Sequence, residues 1–161
     1  MPQQNKIKYT EDLAELINRI PKTDLHVHLD GSLRLQTLIE FAKKENVELP
    51  SATVEGLNEL VFKDNYANLE EYLKTFGYSC AVMQKPEYLE QIAYELAQDN
   101  QNEGVRYIEV RFAPQLHINK NMDMKMVSAS VDKGLERARK ELICVRKLGR
   151  VMSRRFIMES S

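Results

Sequence analysis

PKTDLHVHLDGSL, residues 21–33, is the stretch of this chain that decides its fold. Apolar and polar residues alternate in it as they do in a β-strand, which predicts one apolar face and one polar face. The polar face would carry Asp24, His26, His28 and Asp30, and a Gly-Ser turn and a helical pattern follow directly. A strand that ends in polar groups and turns into a helix is typical of a (β/α) barrel, whose functional groups lie at the C-terminal ends of its strands.

His26 and His28 are spaced to act together. Two imidazoles at i and i+2 on one strand face, near the end of the strand, can converge on a single metal ion. The alternative is a pair of histidines held by hydrogen bonds inside the sheet, but burying two of them without strong partners is costly. The pattern therefore favours metal ligation.

A second strand is predicted over Val105–Phe112, after a helix that Gly104 ends. With the helical stripes on either side, the chain reads as α, then βα, then extra helices, then βα, which is a parallel-sheet pattern. Tyr107, Glu109 and Arg111 share one face of this strand, and we interpret them as a structural ion-pair network beneath a site rather than as catalytic groups. His117 lies in the loop beyond, and we expect it at the surface.

Two motifs carry a resemblance to a known family. PKTDLHVHLDGSLR and VRYIEVRFAPQLH (residues 105–117) resemble the opening motif and the second strand of the adenosine deaminases, zinc-dependent barrels of the amidohydrolase superfamily. The similarity runs from about Ile20 to about Lys140. It implies an α/β fold that is part of a (β/α)8 TIM-type barrel, namely the first two or three βα units with helical insertions after the first strand.

The resemblance also implies a site and an activity. His26 and His28 would be zinc ligands, and Asp30 matches the family's aspartate that binds the ribose 5′-hydroxyl. The helix that lines and gates the purine pocket in the family corresponds here to Leu69, Tyr72, Leu73 and Phe76, although their spacing alone favours a helix packed on the core. The implied reaction is zinc-dependent hydrolytic deamination of adenosine or 2′-deoxyadenosine to the inosine product, in purine salvage. Adenine is the alternative substrate, although adenine-specific relatives carry glutamate at the Asp30 position.

Several residues of the family site have no counterpart in this chain. The family's remaining zinc ligands and its acid and base residues come from later strands, whereas this chain has three histidines and no His-x-Gly-Glu stretch. We therefore assign no catalytic residue. A whole barrel of this kind needs about 250 residues, and the chain has 161. We expect residues 1–141 to be the N-terminal part of a deaminase barrel and residues 142–161 to be a divergent tail, which suggests a frameshift or a premature stop.

Three interpretations follow. The chain is the first part of an adenosine deaminase and inactive alone, or a catalytically dead gene remnant, or a small module that self-associates through exposed sheet edges. The formal net charge of −1 gives no electrostatic reason to bind nucleic acid or an anionic membrane. Without a membrane-length apolar run or a signal peptide, we expect a cytoplasmic protein that acts on a small molecule. Cys80 and Cys144 read as reduced, unpaired thiols.

Overall fold

A computed structural model describes residues 11–142 of the chain. Their elements, in chain order, are α1 (Glu11–Arg19), β1 (Lys22–His28), α2 (Leu35–Glu45), α3 (Val54–Leu60), α4 (Leu69–Val82), α5 (Pro86–Asn102), β2 (Val105–Arg111) and α6 (Met124–Glu141), with a 3₁₀ turn at Pro114–His117 between the last two. This order matches the predicted one. The predicted divergent tail, residues 142–161, lies outside the described residues, apart from Leu142 itself.

The two strands pair in parallel and form the sheet of the described region. Val27 lies opposite Val110, and His28 lies opposite Arg111. Three helices, α3, α4 and α5, separate β1 from β2 in addition to α2, so the parallel connection carries the predicted helical insertions. Both strands end on the same side because parallel strands run in the same direction.

The alternation in β1 is interrupted by a bulge. Asp24 pairs with Ile108 and Val27 with Val110, so three steps on β1 match two on β2. Asp24 is thereby on the sheet face of Val27, and its Oδ1 accepts a hydrogen bond from the backbone N–H of His26 at 3.0 Å. The prediction that Asp24 shares a face with His26 and His28 was wrong, because strict alternation assumes an unbroken strand.

One sheet face is covered by helices, and the core lies there. Ile108 and Val110 of β2 are buried with residues of α5 and α6, including Leu89, Ile92 and Val127. The backbones of α5 and α6 approach closely at Gly134, where an added Cβ would lie 2.1 Å from the carbonyl oxygen of Glu90. Helix α5 therefore packs on β2, and α6 packs on α5.

The first βα turn, between His28 and Leu35, is held by side-chain hydrogen bonds. Serine is a favoured N-cap residue, but α2 begins at Leu35 after Arg34, and the Ser32 hydroxyl donates to the carbonyl oxygen of His28. Arg34 donates through Nε and Nη2 to the Asp99 carboxylate at 2.9 and 2.6 Å. The turn is thus closed onto the end of β1 and tied to α5.

Part of the apolar surface is uncovered among the described residues. An apolar stripe on α1 and the residue after it is exposed (Leu13, Leu16, Ile17 and Ile20), and so is Leu25 of β1, at 57%. No helix in the described part of the chain is long and apolar enough to cross a membrane. The apolar side of α1 is therefore exposed within the described part of the chain.

Candidate active site

His26 and His28 point to a common position at the C-terminal end of β1. Their Nε2 atoms lie 3.0 Å apart, and both side chains are exposed. Two nitrogens bound to one zinc ion at ~2.0–2.1 Å with angles near 90–110° would be roughly 2.8–3.4 Å apart. The pair therefore fits two positions of a zinc site, and the same distance suits a hydrogen bond between two imidazoles. Residues 11–142 contain no group of three or more His, Cys, Asp or Glu side chains able to hold a metal.

Asp30 is the buried carboxylate of this region. The residue is 7% exposed, and its Oδ1 has no hydrogen-bond partner among the described residues. Nδ1 of His28 lies 3.8 Å from this atom, which is too long for a hydrogen bond. An unpaired buried carboxylate is costly, so this arrangement suits a ligand that brings a donor.

Asp30 lines a cavity of about 240 Å³ between the first βα turn and α4. Tyr72 and Phe76 of α4 form part of its wall, and their rings meet edge to face with centroids 5.3 Å apart. Thr75 and Ser79, one turn apart on the same helix, add hydroxyl groups to the lining. The cavity thus combines aromatic faces with a few polar groups, as small-molecule sites do.

The four residues of α4 that were predicted to contact substrate lie in two different environments. Tyr72 and Phe76 line the cavity, whereas Leu69 and Leu73 are 68% and 55% exposed and do not contribute to the lining of the described cavity. The core-packing alternative fails for this stripe, because the residues that α4 buries are Thr75, Ser79 and Val82. Leu69 and Leu73 as substrate contacts stay a prediction.

The expected network on β2 is present. Tyr107 donates from its hydroxyl to Glu109 Oε1 at 3.1 Å, and Arg111 Nη2 lies 3.9 Å from Glu109 Oε2. Arg111 is also the register partner of His28. The three side chains therefore form a connected polar group beside the histidine pair, as their spacing on one strand face predicted.

His117 is buried, although we expected it at the surface. It is fully buried at the end of the 3₁₀ turn, and neither ring nitrogen makes a hydrogen bond of ordinary geometry within the described residues. Burial lowers the pKa of His117, while the Asp30 charge and a contact with the Met83 backbone partly oppose that shift. Its apolar neighbours Leu116 and Ile118 are exposed, so hydropathy gave no signal of this burial.

The Asp30 carboxylate also acts on the thiol of Cys80, a free cysteine of α4. Burial and, secondarily, the Asp30 charge raise the pKa of Cys80 to about 11. Cys80 is therefore an unreactive thiol at neutral pH, in agreement with the expected reduced state. Cys144 lies outside the described residues.

Comparison with known proteins gives consistent matches. The family model described as "Adenosine deaminase" matches residues 21–160. A curated adenosine deaminase from Clostridium perfringens is 48% identical over 120 residues, which cover 74% of this chain and 36% of that protein. The chain thus spans about a third of the length of the curated relatives it matches. The family match continues past Glu141, so a domain boundary there remains a prediction.

Two solved structures resemble the fold. An amidohydrolase from Burkholderia ambifaria with bound Zn matches with a TM-score of 0.70 at 20% identity, covering 86% of this chain and 37% of that one. Arabidopsis ADAL complexed with GMP matches with a TM-score of 0.61 at 28% identity, covering 79% and 37%. The predicted fold, part of a TIM-type α/β barrel, is confirmed.

Proposed function

Because this chain belongs to the adenosine deaminase family, we propose that it provides the first part of a hydrolytic deaminase that converts adenosine or 2′-deoxyadenosine to the inosine product. The observation that carries the proposal is a buried carboxylate, Asp30, which lines an aromatic cavity two residues after the converging pair His26 and His28. This combination places two candidate metal ligands and a buried hydrogen-bond acceptor at the end of β1 and its turn, beside a cavity whose wall includes aromatic rings of α4.

His26 and His28 would hold zinc through their Nε2 atoms as two of its ligands. Zinc bound there would lower the pKa of a bound water toward about 7 and so make hydroxide available at neutral pH. A catalytic zinc site uses three protein ligands and a water, so two histidines by themselves would hold the ion weakly. The zinc-containing Burkholderia structure supports the choice of metal at the level of the fold.

Asp30 would accept a hydrogen bond from a hydroxyl of the sugar. Its unpaired Oδ1 supports this role, because a hydroxyl donor would satisfy a buried acceptor that is otherwise without a partner in the described residues. Tyr72 and Phe76 would stack against the purine and exclude water from it. A free base such as adenine brings no sugar hydroxyl, so adenosine is the preferred substrate in this proposal.

The 161 residues alone are proposed not to turn over adenosine. Protonation of the purine ring needs an acid in addition to the metal site, and we assign no residue of this chain to that step. The decisive experiment joins residues 1–141 to the remaining C-terminal part of the Clostridium perfringens relative. The chimera should convert adenosine to inosine, and His26→Ala should abolish that activity. Deamination by the 161-residue chain, lost in His26→Ala, would overturn the proposed inactivity.

A self-associating module is the second candidate. Its support is the exposed apolar side of α1 together with the exposed Leu25 on β1, since uncovered apolar patches promote association. The occupant of that surface would be a second copy of the chain. A monomer at all concentrations in sedimentation experiments would exclude this candidate while leaving the deaminase proposal intact. The cytoplasmic location stays a prediction.

A further inference from the structure

Two charged side chains, Asp30 and Lys63, line the cavity described above. Its other lining residues are glycine, hydroxyl-bearing and aromatic residues, which carry no charge at neutral pH. Among the residues that line the cavity, these two groups therefore carry the charge, and the partners of each group decide how much of that charge a ligand meets. Lys63 comes from the segment between α3 and α4, on the side of the cavity formed by that loop.

The ammonium of Lys63 is held by Glu71. Lys63 Nζ donates to Glu71 Oε1 at 2.9 Å, and Glu71 Oε2 accepts from the backbone N–H of Ala67 at 2.8 Å. The backbone N–H of Glu71 donates in turn to Oδ1 of Asn68, the N-cap of α4, at 2.9 Å. The Ala67 hydrogen bond and then the Lys63 ammonium lower the pKa of Glu71, so this carboxylate stays charged at neutral pH.

The backbone at Lys63 is fixed as well. Its N–H donates to the hydroxyl oxygen of Tyr66 at 3.0 Å, and that hydroxyl donates to the carbonyl oxygen of Val61 at 3.1 Å. The pair Lys63–Glu71 is consequently anchored at both ends, on the loop and on the first turn of α4. Such a pair keeps its geometry better than two freely rotating surface side chains.

We infer that Glu71 is a specificity-determining residue that makes the cavity accept a nucleoside and reject its 5′-phosphate. This inference rests on the proposed function. With Lys63 neutralised by Glu71, the remaining charge among the residues that line the cavity is that of Asp30, which would accept a hydrogen bond from a sugar hydroxyl and repel a phosphate dianion. Without Glu71, the ammonium of Lys63 becomes available to phosphate, and the preference shifts toward the nucleotide.

The test is equilibrium dialysis of the full chain with labelled adenosine and with labelled adenosine 5′-phosphate, at low ionic strength because exposed charges are screened by salt. Glu71→Gln removes the charge and leaves an amide oxygen for the Ala67 N–H. Glu70→Gln is the matched control, because Glu70 lies beside it on α4 but pairs with Lys74 at 3.1 Å. A double variant, Glu71→Gln with Lys63→Met, removes both members of the pair.

Glu71→Gln should lower the Kd for adenosine 5′-phosphate about tenfold relative to that for adenosine, the value of one charged hydrogen bond. Glu70→Gln should leave the ratio unchanged, and the double variant should reverse the gain. Equal shifts in the Glu71 and Glu70 variants, or no gain in phosphate binding by Glu71→Gln, would overturn the inference. Failure of the wild-type chain to retain adenosine would count against the proposed function, while the phosphate comparison between variants still decides the role of Glu71.

Discussion

The Nε2 atoms of His26 and His28 lie 3.0 Å apart at the end of the first strand. This separation matches two ligands of one zinc ion and also a hydrogen bond within a metal-free pair. The two arrangements exclude each other, because a nitrogen that binds zinc has no lone pair or proton left for its neighbour. Metal content therefore distinguishes them.

Zinc content should depend on both histidines. We expect substoichiometric, readily chelated zinc in the purified chain, lost in His26→Ala and in His28→Ala, because two ligands hold the ion weakly. Asp24→Asn is the matched control: the bulge puts Asp24 on the opposite face, so this variant should keep the wild-type content. Metal analysis after extensive dialysis measures all four proteins. One tightly bound zinc per chain would contradict the expectation.

Asp30 should discriminate substrates in the chimera with the Clostridium perfringens relative. Asp30→Ala is expected to lower kcat/KM for adenosine by roughly 100-fold or more, because a site built around a hydroxyl partner discriminates strongly. Turnover of adenine should change little. Steady-state rates on both substrates give the comparison, and equal losses would mean that Asp30 serves the structure instead of the sugar.

His117 should make stability depend on pH. Its pKa is lowered in the folded chain by burial, so the unfolded state binds a proton more readily. Stability is then fully present above the unfolded pKa of about 6.5 and decreases as pH falls from there toward the lowered folded pKa. Urea unfolding at pH 7.5 and pH 5.5 should show a smaller pH effect in His117→Leu. An identical pH effect in both proteins would show that other groups are responsible.

Gly134→Ala should destabilise the folded chain. An added Cβ would lie 2.1 Å from the Glu90 carbonyl oxygen, and overpacking of this kind costs about 1–3 kcal/mol. Gly77 is the matched control, because it lies in α4 with no atom within 4 Å of an added Cβ. Gly77→Ala should stabilise by about 0.5–1 kcal/mol through helix propensity. Urea unfolding of both variants decides, and equal effects would contradict the close approach of α5 and α6.

Self-association should respond to Leu25. This side chain is 57% exposed on β1, and Leu60, at the end of α3, is exposed to the same extent. Leu25→Lys should weaken association through the strand, because charged residues on an edge strand oppose pairing with another chain. Leu60→Lys should leave association unchanged. Sedimentation velocity over a range of concentrations measures the effect. Equal weakening by both variants would indicate nonspecific association of exposed apolar residues rather than association through the strand.

The local sequence of this chain determined much of what the structure contains. Residues 21–33 predicted a strand with His26 and His28 together at its end. Asn68 and Glu71 have the spacing of a capping box, and Asn68 caps α4. The face shared by Tyr107, Glu109 and Arg111 also followed from position alone. These features depend on alternation, capping and turn chemistry, which act over a few residues.

Tertiary packing decided the rest. The bulge that turns Asp24 away arises from pairing with β2, more than eighty residues later in the chain. His117 is buried although both its neighbours are apolar and exposed, because the turn at Pro114–His117 presents the histidine to the interior. The cavity combines Asp30, Lys63 and Tyr72 from three separate segments. Such contacts join residues that are distant in the sequence, and a single sequence carries no local signal for them.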